Sequence, residues 1–178
     1  VDDPQANRIV ITATYRLQLR PAGEHGFGFD AAAAVAAYLA DLGVSHAYTS
    51  PFLESAPDSQ HGYDVAAPDR VRTEYGGEAG FQRCCAALQR LGLGLVIDIV
   101  PNHMSIVTTR NRWWWDVLRQ GVASPYARYF DLDWGADDND AKILLPWLAR
   151  PLPATLAAGE LRRAAHGGEP ALVYGGMA

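Results

Sequence analysis

Leu95-Val96-Ile97-Asp98-Ile99-Val100-Pro101-Asn102-His103 is the stretch on which the reading of this sequence turns. Its first six residues are apolar but for one, as a strand covered on both faces should be. The exception is Asp98. A carboxylate inside an apolar strand costs several kcal/mol unless it is paired, so Asp98 predicts a partner, an Arg from another strand. Pro101 ends the run. Asn102 and His103 then project from the carboxyl end of the strand, where ligands sit in parallel α/β folds. An imidazole there can donate to a substrate hydroxyl without carrying charge. Taken alone, Asp98 to His103 fit equally well a polar strand end satisfied by local backbone.

Upstream, Phe81, Cys84, Cys85, Leu88 and Leu91 recur at helical spacing, opened by Gly77-Glu78 and punctuated by Gly92 and Gly94. Before them, Val44 to Ser50 reads as a strand stopped by Pro51. Asp30 is placed to cap a further helix, with Val35, Leu39 and Leu42 on its apolar stripe and Gly43 as its stop. Ile9 to Leu19 is β-branched and aromatic and reads as the first strand, broken by Pro21 and Gly23. Alternation sets Tyr15, Leu17 and Leu19 on one face and Arg16 and Gln18 on the other; alone, this favours a core strand with solvated edges over a binding strand. The order strand, helix, strand, helix, strand predicts an α/β fold with a parallel sheet and right-handed crossovers. Periodicity does not separate a barrel from a doubly wound sheet.

Residues 51–76 form a long connection rich in Pro, Asp, Ser and Gly, and its aromatic and charged content favours a functional loop. It contains His61-Gly62-Tyr63-Asp64-Val65. A sugar ring offers flat C–H faces as well as hydroxyls, so a Tyr ring stacks while His and Asp bind hydroxyls, and Gly62 keeps the backbone close to the site. A surface turn with an aromatic plug fits the five residues as well. After Pro101 the pattern changes: Trp113, Trp114, Trp115, Tyr126, Tyr129, Phe130, Trp134 and Trp147 stand among Asp and Asn. A short helix is expected over Trp113 to Gly121, then irregular structure. The run Asp137-Asp138-Asn139-Asp140 reads as a solvated loop, and residues 151–178 show little pattern.

The chain has 178 residues, 49% of them hydrophobic, and a net charge of -5. That is enough for one core, and the scattered Arg residues offer no phosphate-binding stripe, so nucleic acid is not expected as a partner. Cys84 and Cys85 are adjacent and read as small buried helix residues with no disulfide framework. No signal peptide and no long apolar run is seen, which predicts no membrane partner and a cytoplasmic protein. A chain that begins Val1-Asp2-Asp3-Pro4, without methionine, predicts further residues upstream. No Gly-rich phosphate loop opens either helix, which disfavours a nucleotide-binding fold.

The three motifs lie in chain order on successive strands or strand-end loops, and together they resemble the α-amylase superfamily. DIVPNH resembles its Asp followed four residues later by Asn-His, and HGYDV resembles its loop after the second strand. TYRLQL, SHAYTSP, HGYDV, DIVPNHM, WWWDVL and SPYARYFDLDW resemble one branch, the maltooligosyl trehalose synthases, from about residue 12 to about residue 148. The resemblance implies the N-terminal part of a (β/α)8 TIM barrel of α-amylase type. Residues 1–103 would supply the first three β/α units, and 104–178 the start of an aromatic-rich insert after strand three. A complete barrel needs roughly 250 residues.

By the same resemblance, His103, Tyr63, His61 and Asp64 contact a glucosyl unit of a maltooligosaccharide substrate. Asn102 stands beside them, Asp98 supports the site through an Arg on a later strand, and Tyr15 and Gln18 are weaker candidates for substrate binding. No cofactor and no metal is expected. The implied reaction is an intramolecular transfer that converts an α-1,4 to an α-1,1 linkage. Its carboxylates follow strands four, five and seven, beyond residue 178, so no catalytic residue is assigned in this chain. Another superfamily hydrolase or transferase, or an amylase-like binding protein, stays open.

Overall fold

The computed structural model describes residues 10–134, 143–166 and 168–175. The chain divides into two compact units, Val1–Asp131 and Leu132–Ala178.

The first unit runs β1 (Thr14–Leu17), α1 (Phe29–Ala34), α2 (Ala36–Asp41), β2 (His46–Thr49), β3 (Leu53–Ser55), β4 (Val65–Val71), α3 (Gly77–Arg90), β5 (Gly94–Ile97) and α4 (Arg112–Gln120). The strands β1, β2 and β5 make a parallel sheet in that order. Tyr15 faces Ala47 and Leu95 across it, and Arg16 faces Tyr48 and Val96. The pleat therefore sorts the side chains. Leu17, Leu19 and Ala47 join Phe29, Leu39 and Leu88 in the core under the helices, while Arg16 and Tyr48 share the opposite face. Phe29, Phe52 and Phe81 close the core as a ring cluster with centroids 5.1 to 5.5 Å apart.

The parallel strand–helix order is as the sequence predicts; several boundaries differ. The first strand pairs only from Thr14, and Val10 and Ile11 are exposed; Ile9 lies outside the described residues. The helix expected after Asp30 is two short helices, broken at Val35, whose ψ falls to 0°. Asp30 does not cap it. The N-cap is Gly28, where a Cβ would stand 2.6 Å from the Tyr75 carbonyl oxygen. Asp30 thus falls in the first turn, where it takes a two-point ion pair from Arg83 of α3 at 2.9 and 2.8 Å.

Part of the stretch 51–76 is paired: β3 and β4 form an irregular antiparallel hairpin. β5 is not covered on both faces along its length, since Ile97 and Ile99 are exposed at the outer edge of the described sheet. Cys84 and Cys85 are free thiols on α3, and burial pushes Cys84 up to about 11.

The helix α4 forms where expected. The Asn111 Oδ1 accepts the Trp114 N–H at 2.9 Å and its Nδ2 donates to the Ser105 carbonyl at 2.8 Å, an N-cap tied back to the preceding loop. Trp114 is buried against Phe130, and Trp113 stacks on Tyr126. The insert aromatics pack largely on one another.

In the second unit, α5 (Leu152–Ala157) precedes an antiparallel hairpin of β6 (Leu161–His166) and β7 (Glu169–Tyr174). The sequence shows little sign of it, because LRRAAH carries no apolar alternation. The run Asp137-Asp138-Asn139-Asp140 lies outside the described residues. No helix among the described residues is long and apolar enough to cross a membrane.

Candidate functional site

The parallel register puts Arg16 of β1, Tyr48 of β2 and Asp98, one residue past β5, on one face at the carboxyl end of the sheet. Asp98 has the cationic partner its setting demands, and the partner is Arg16 of the first strand: Nη1 donates to Oδ2 at 3.2 Å. Two phenols donate to the same oxygen, Tyr63 at 2.6 Å and Tyr48 at 3.3 Å. Arg16 also donates to the Tyr63 hydroxyl at 3.0 Å, and its guanidinium lies over the Tyr48 ring at 4.8 Å. The bond from Tyr63, then those from Arg16 and Tyr48, hold the Asp98 carboxyl below the usual carboxylate range against the opposing pull of burial. The same bond to Asp98, with burial, raises the Tyr63 phenol. Arg16 and Tyr48 escape the sequence reading. Their signal is Arg16 lying off the core face of β1, and the need of Asp98 for a cation.

The loop from Ser59 to Asp64 stands over this cluster. A Cβ on Gly62 would lie 2.4 Å from the Pro51 carbonyl oxygen, and its φ is +78°. Its close approach is therefore to the backbone of Pro51 and not to a ligand. The Ser59 hydroxyl donates to Asp64 Oδ1 and accepts the Gly62 N–H at 3.1 Å. Asp64 is thus engaged within its own loop. The Tyr63 N–H donates to His61 Nδ1 at 3.0 Å. A nitrogen that accepts a hydrogen bond bears no proton, so the 3.9 Å approach of Nδ1 to Asp64 is not an ion pair. The proton sits on Nε2, which bonds to no described residue and faces outward as a free donor.

His103 bridges the two motifs. Its Nε2 donates to the Tyr63 carbonyl at 3.1 Å, and its Nδ1 stands 3.1 Å from the terminal amide of Asn102. The Asn102 atom that faces Nδ1 is its Oδ1. The structure thereby brings together Tyr63, Asn102, His103 and Asp98, with His61 at the rim. Tyr15 is not among them: it lies on the helix side of the sheet, edge-on to Tyr38 at 6.4 Å. Gln18 borders a cleft of about 530 Å³ beside His61, lined also by Arg20, Glu24, His25 and Gln60. The arrangement offers an exposed aromatic face, an imidazole at the rim and a polar cleft, with one oxygen of the Asp98 carboxylate, Oδ2, taken by three donors. That equipment suits a neutral polyhydroxylated ligand. Among the described residues, no group of His, Cys, Asp and Glu is disposed to hold a metal ion.

The catalytic-domain model of α-amylase matches residues 35–147, well over half the chain. The chain belongs to the α-amylase catalytic-domain family, and its fold is the N-terminal part of that family's (β/α)8 barrel. Within the family the matches include maltooligosyl trehalose synthases. A curated Mycobacterium tuberculosis protein bearing the name maltooligosyl trehalose synthase is 47% identical over 141 residues, 78% of this chain and 18% of that protein. A crystal structure of a maltooligosyl trehalose synthase superposes with a TM-score of 0.81 at 42% identity, over 93% of this chain and 22% of that one. The maltooligosyltrehalose synthase from Arthrobacter ramosus gives 0.76 at 41% identity, over 92% of this chain and 20% of that one. The chain spans about a fifth of the length of the relatives it matches.

Proposed function

We propose that the protein to which this chain belongs is an intramolecular transglucosylase that converts the reducing-end α-1,4 linkage of a maltooligosaccharide into an α-1,1 linkage. The observation that carries the reading is likeness along nearly the whole chain, at 42% identity and a TM-score of 0.81, to a structure titled maltooligosyl trehalose synthase. In this reading the chain supplies one wall of the sugar site. Tyr63 stacks on a glucosyl ring, the His61 Nε2–H donates to a hydroxyl, and Gln18 extends the wall along the cleft. His103 binds once a sugar hydroxyl displaces the exposed Asn102 from its Nδ1. Asp98 keeps Tyr63 and Arg16 in place, and Asp64 fixes the loop.

The reaction is a retaining double displacement. A nucleophilic carboxylate takes the maltooligosyl part on the non-reducing side of the last linkage, the reducing-end glucose is released and turns within a site closed to water, and its anomeric hydroxyl attacks the maltooligosyl–enzyme bond and frees the carboxylate. In this reading Asp98 and Asp64 position the wall, Asp98 bonded through Oδ2 to three donors and Asp64 through Oδ1 to Ser59. As the resemblance implies, the reacting groups come from later strands, and residues 1–178 alone have no activity in this reading. Residues 1–103 contribute the first three barrel units and 104–178 the start of the insert after strand three. The protein is cytoplasmic, needs no metal or cofactor and binds neither nucleic acid nor membrane.

Incubating the complete protein with maltopentaose and following the anomeric protons by NMR tests the reading. Loss of reducing-end signals with a matching gain of an α,α-1,1 signal is expected. Release of glucose or shorter maltosides, with no non-reducing product, identifies a hydrolase or another transferase of the family instead. No turnover, with no Asp after strand four and no Glu after strand five, identifies a binding protein.

A further inference from the structure

We propose that Arg72 is the positioning residue of this wall: buried beneath the loop, its guanidinium holds the chain from Ser55 to Ser59 in the shape that presents His61 and Tyr63. The proposal rests on the functional reading above only for what the wall binds. Arg72 is wholly buried, at 0% exposure. Its Nη1 donates to the Ser55 hydroxyl at 2.8 Å, the Ser59 carbonyl at 2.8 Å and the Tyr75 hydroxyl at 3.2 Å. Its Nη2 donates to the carbonyls of Pro57 at 3.1 Å and Ala56 at 3.5 Å. The plane rests over the Tyr75 ring at 4.9 Å. Four of these five acceptors belong to one stretch of five residues.

A buried arginine is usually matched by a carboxylate, and here that match is incomplete. Glu74 Oε2 stands 3.5 Å from Arg72 Nε, but neither atom makes a hydrogen bond. The charge is met chiefly by loop carbonyls, which tie the cation to the conformation of that loop. Ser59 passes the restraint on. Its carbonyl accepts from Arg72, its hydroxyl donates to Asp64, and the same hydroxyl accepts from the Gly62 N–H. Gly62 is flanked by His61 and Tyr63. The restraint thus runs from Arg72 through Ser59 to Gly62, the residue between the two that face the ligand. A lysine at this position has a compact ammonium in place of a planar fork and cannot span acceptors from Ser55 to Ser59.

The test compares wild type, Arg72→Gln, Arg72→Lys and Ser59→Ala in the complete protein, by hydrogen exchange of residues 55–64 and of α3, and by maltopentaose kinetics. Arg72→Gln is expected to speed exchange in 55–64 while leaving α3 unchanged. It should also raise KM roughly tenfold with kcat within about threefold, because binding geometry and not the reacting carboxylates is disturbed. Arg72→Lys should fall between wild type and Arg72→Gln, and Ser59→Ala should shift both readouts in the same direction by less. Unchanged exchange in 55–64, or acceleration spread equally through α3, overturns the proposal. If Arg72→Gln does not fold, Ser59→Ala decides: an unaltered loop with unaltered KM overturns it. A wild type that neither converts nor binds maltopentaose sinks the functional reading, and the exchange result then judges Arg72 by itself.

Discussion

Replacing Tyr63 with Phe separates the ring of this residue from its hydroxyl. The hydroxyl donates to Asp98 Oδ2 at 2.6 Å and accepts from Arg16 at 3.0 Å. A hydrogen bond to a charged group contributes about 1.5–3 kcal/mol. Tyr63 is 38% exposed, so water enters where the hydroxyl was, and the expected loss is at the low end, about 1–1.5 kcal/mol. The loss depends on pH with a definite sign. The Asp98 carboxyl titrates below its usual range, foremost because of the Tyr63 bond. Its contribution to stability is therefore present above its unfolded pKa of about 3.9 and fades as pH falls through the folded value. The difference between wild type and Tyr63→Phe should be full near neutrality and should shrink below about pH 4. At the other end, the Tyr63 phenol, itself raised, holds the bond until pH climbs past about 10. Thermal unfolding at a series of pH values reads this out, with a neutral-pH drop of about 2–4 °C for a cooperative unit of 150–250 residues. The ring remains, so maltopentaose affinity should change by less than about threefold, whereas Tyr63→Ala should lose roughly tenfold or more. A destabilisation by Tyr63→Phe that is independent of pH from 3 to 8 would refute the assignment of that energy to the Asp98 bond.

Gly62→Ala forces a left-handed residue and places a Cβ 2.4 Å from the Pro51 carbonyl oxygen, so a loss of about 2 kcal/mol or more is expected in thermal unfolding; an unshifted midpoint contradicts the turn geometry. Asn111→Ala removes the buried cap of α4 and its link to Ser105, with an expected cost of about 1–3 kcal/mol and a changed tryptophan emission from Trp114. Cys84 is buried and its thiol lies near 11, so at pH 8 a disulfide reagent should modify the less buried Cys85 well before Cys84 in the native protein. Equal rates at the two thiols contradict that burial.

The order of the parallel sheet is legible because its three strand segments are rich in β-branched, aromatic or apolar residues and the helical segments between them carry apolar stripes. The pairing of Asp98 is legible too, since an unpaired carboxylate in LVIDIV is too costly to stand. Which arginine serves it is not. Arg16 and Gln18 lie off the core face, and a solvated edge explains that placement equally well until the register with Tyr48 and Val96 is known. Tyr48 is hidden inside a strand whose other members are plain core. The hairpin of β3 and β4 escapes because PFLESAPDS is dominated by turn residues and its register slips twice. Arg72 escapes for a related reason: in APDRVRTEY it reads as one of several surface charges, and only the fold reveals that carbonyls surround it.

The two motifs divide once their polar atoms are followed to their partners. Asp64, Gly62 and Asp98 are tied within the protein: Asp64 through Oδ1 to Ser59, Gly62 by its close approach to Pro51, Asp98 through Oδ2 to three donors from three segments. What faces outward is the Tyr63 ring and the His61 Nε2. Half of each motif is therefore scaffold for the other half. Such a division explains why a short pattern marks a whole superfamily while leaving the reaction unspecified. In the proposed reading the scaffolding half fixes where a glucosyl ring can lie against the sheet, and any chemistry performed on that ring can share it. What the ring undergoes is decided by groups that approach from elsewhere in the barrel. The proposed wall would suit a hydrolase and an isomerase alike, and the aromatic segments after Pro101 are where this sequence resembles the maltooligosyl trehalose synthases in particular.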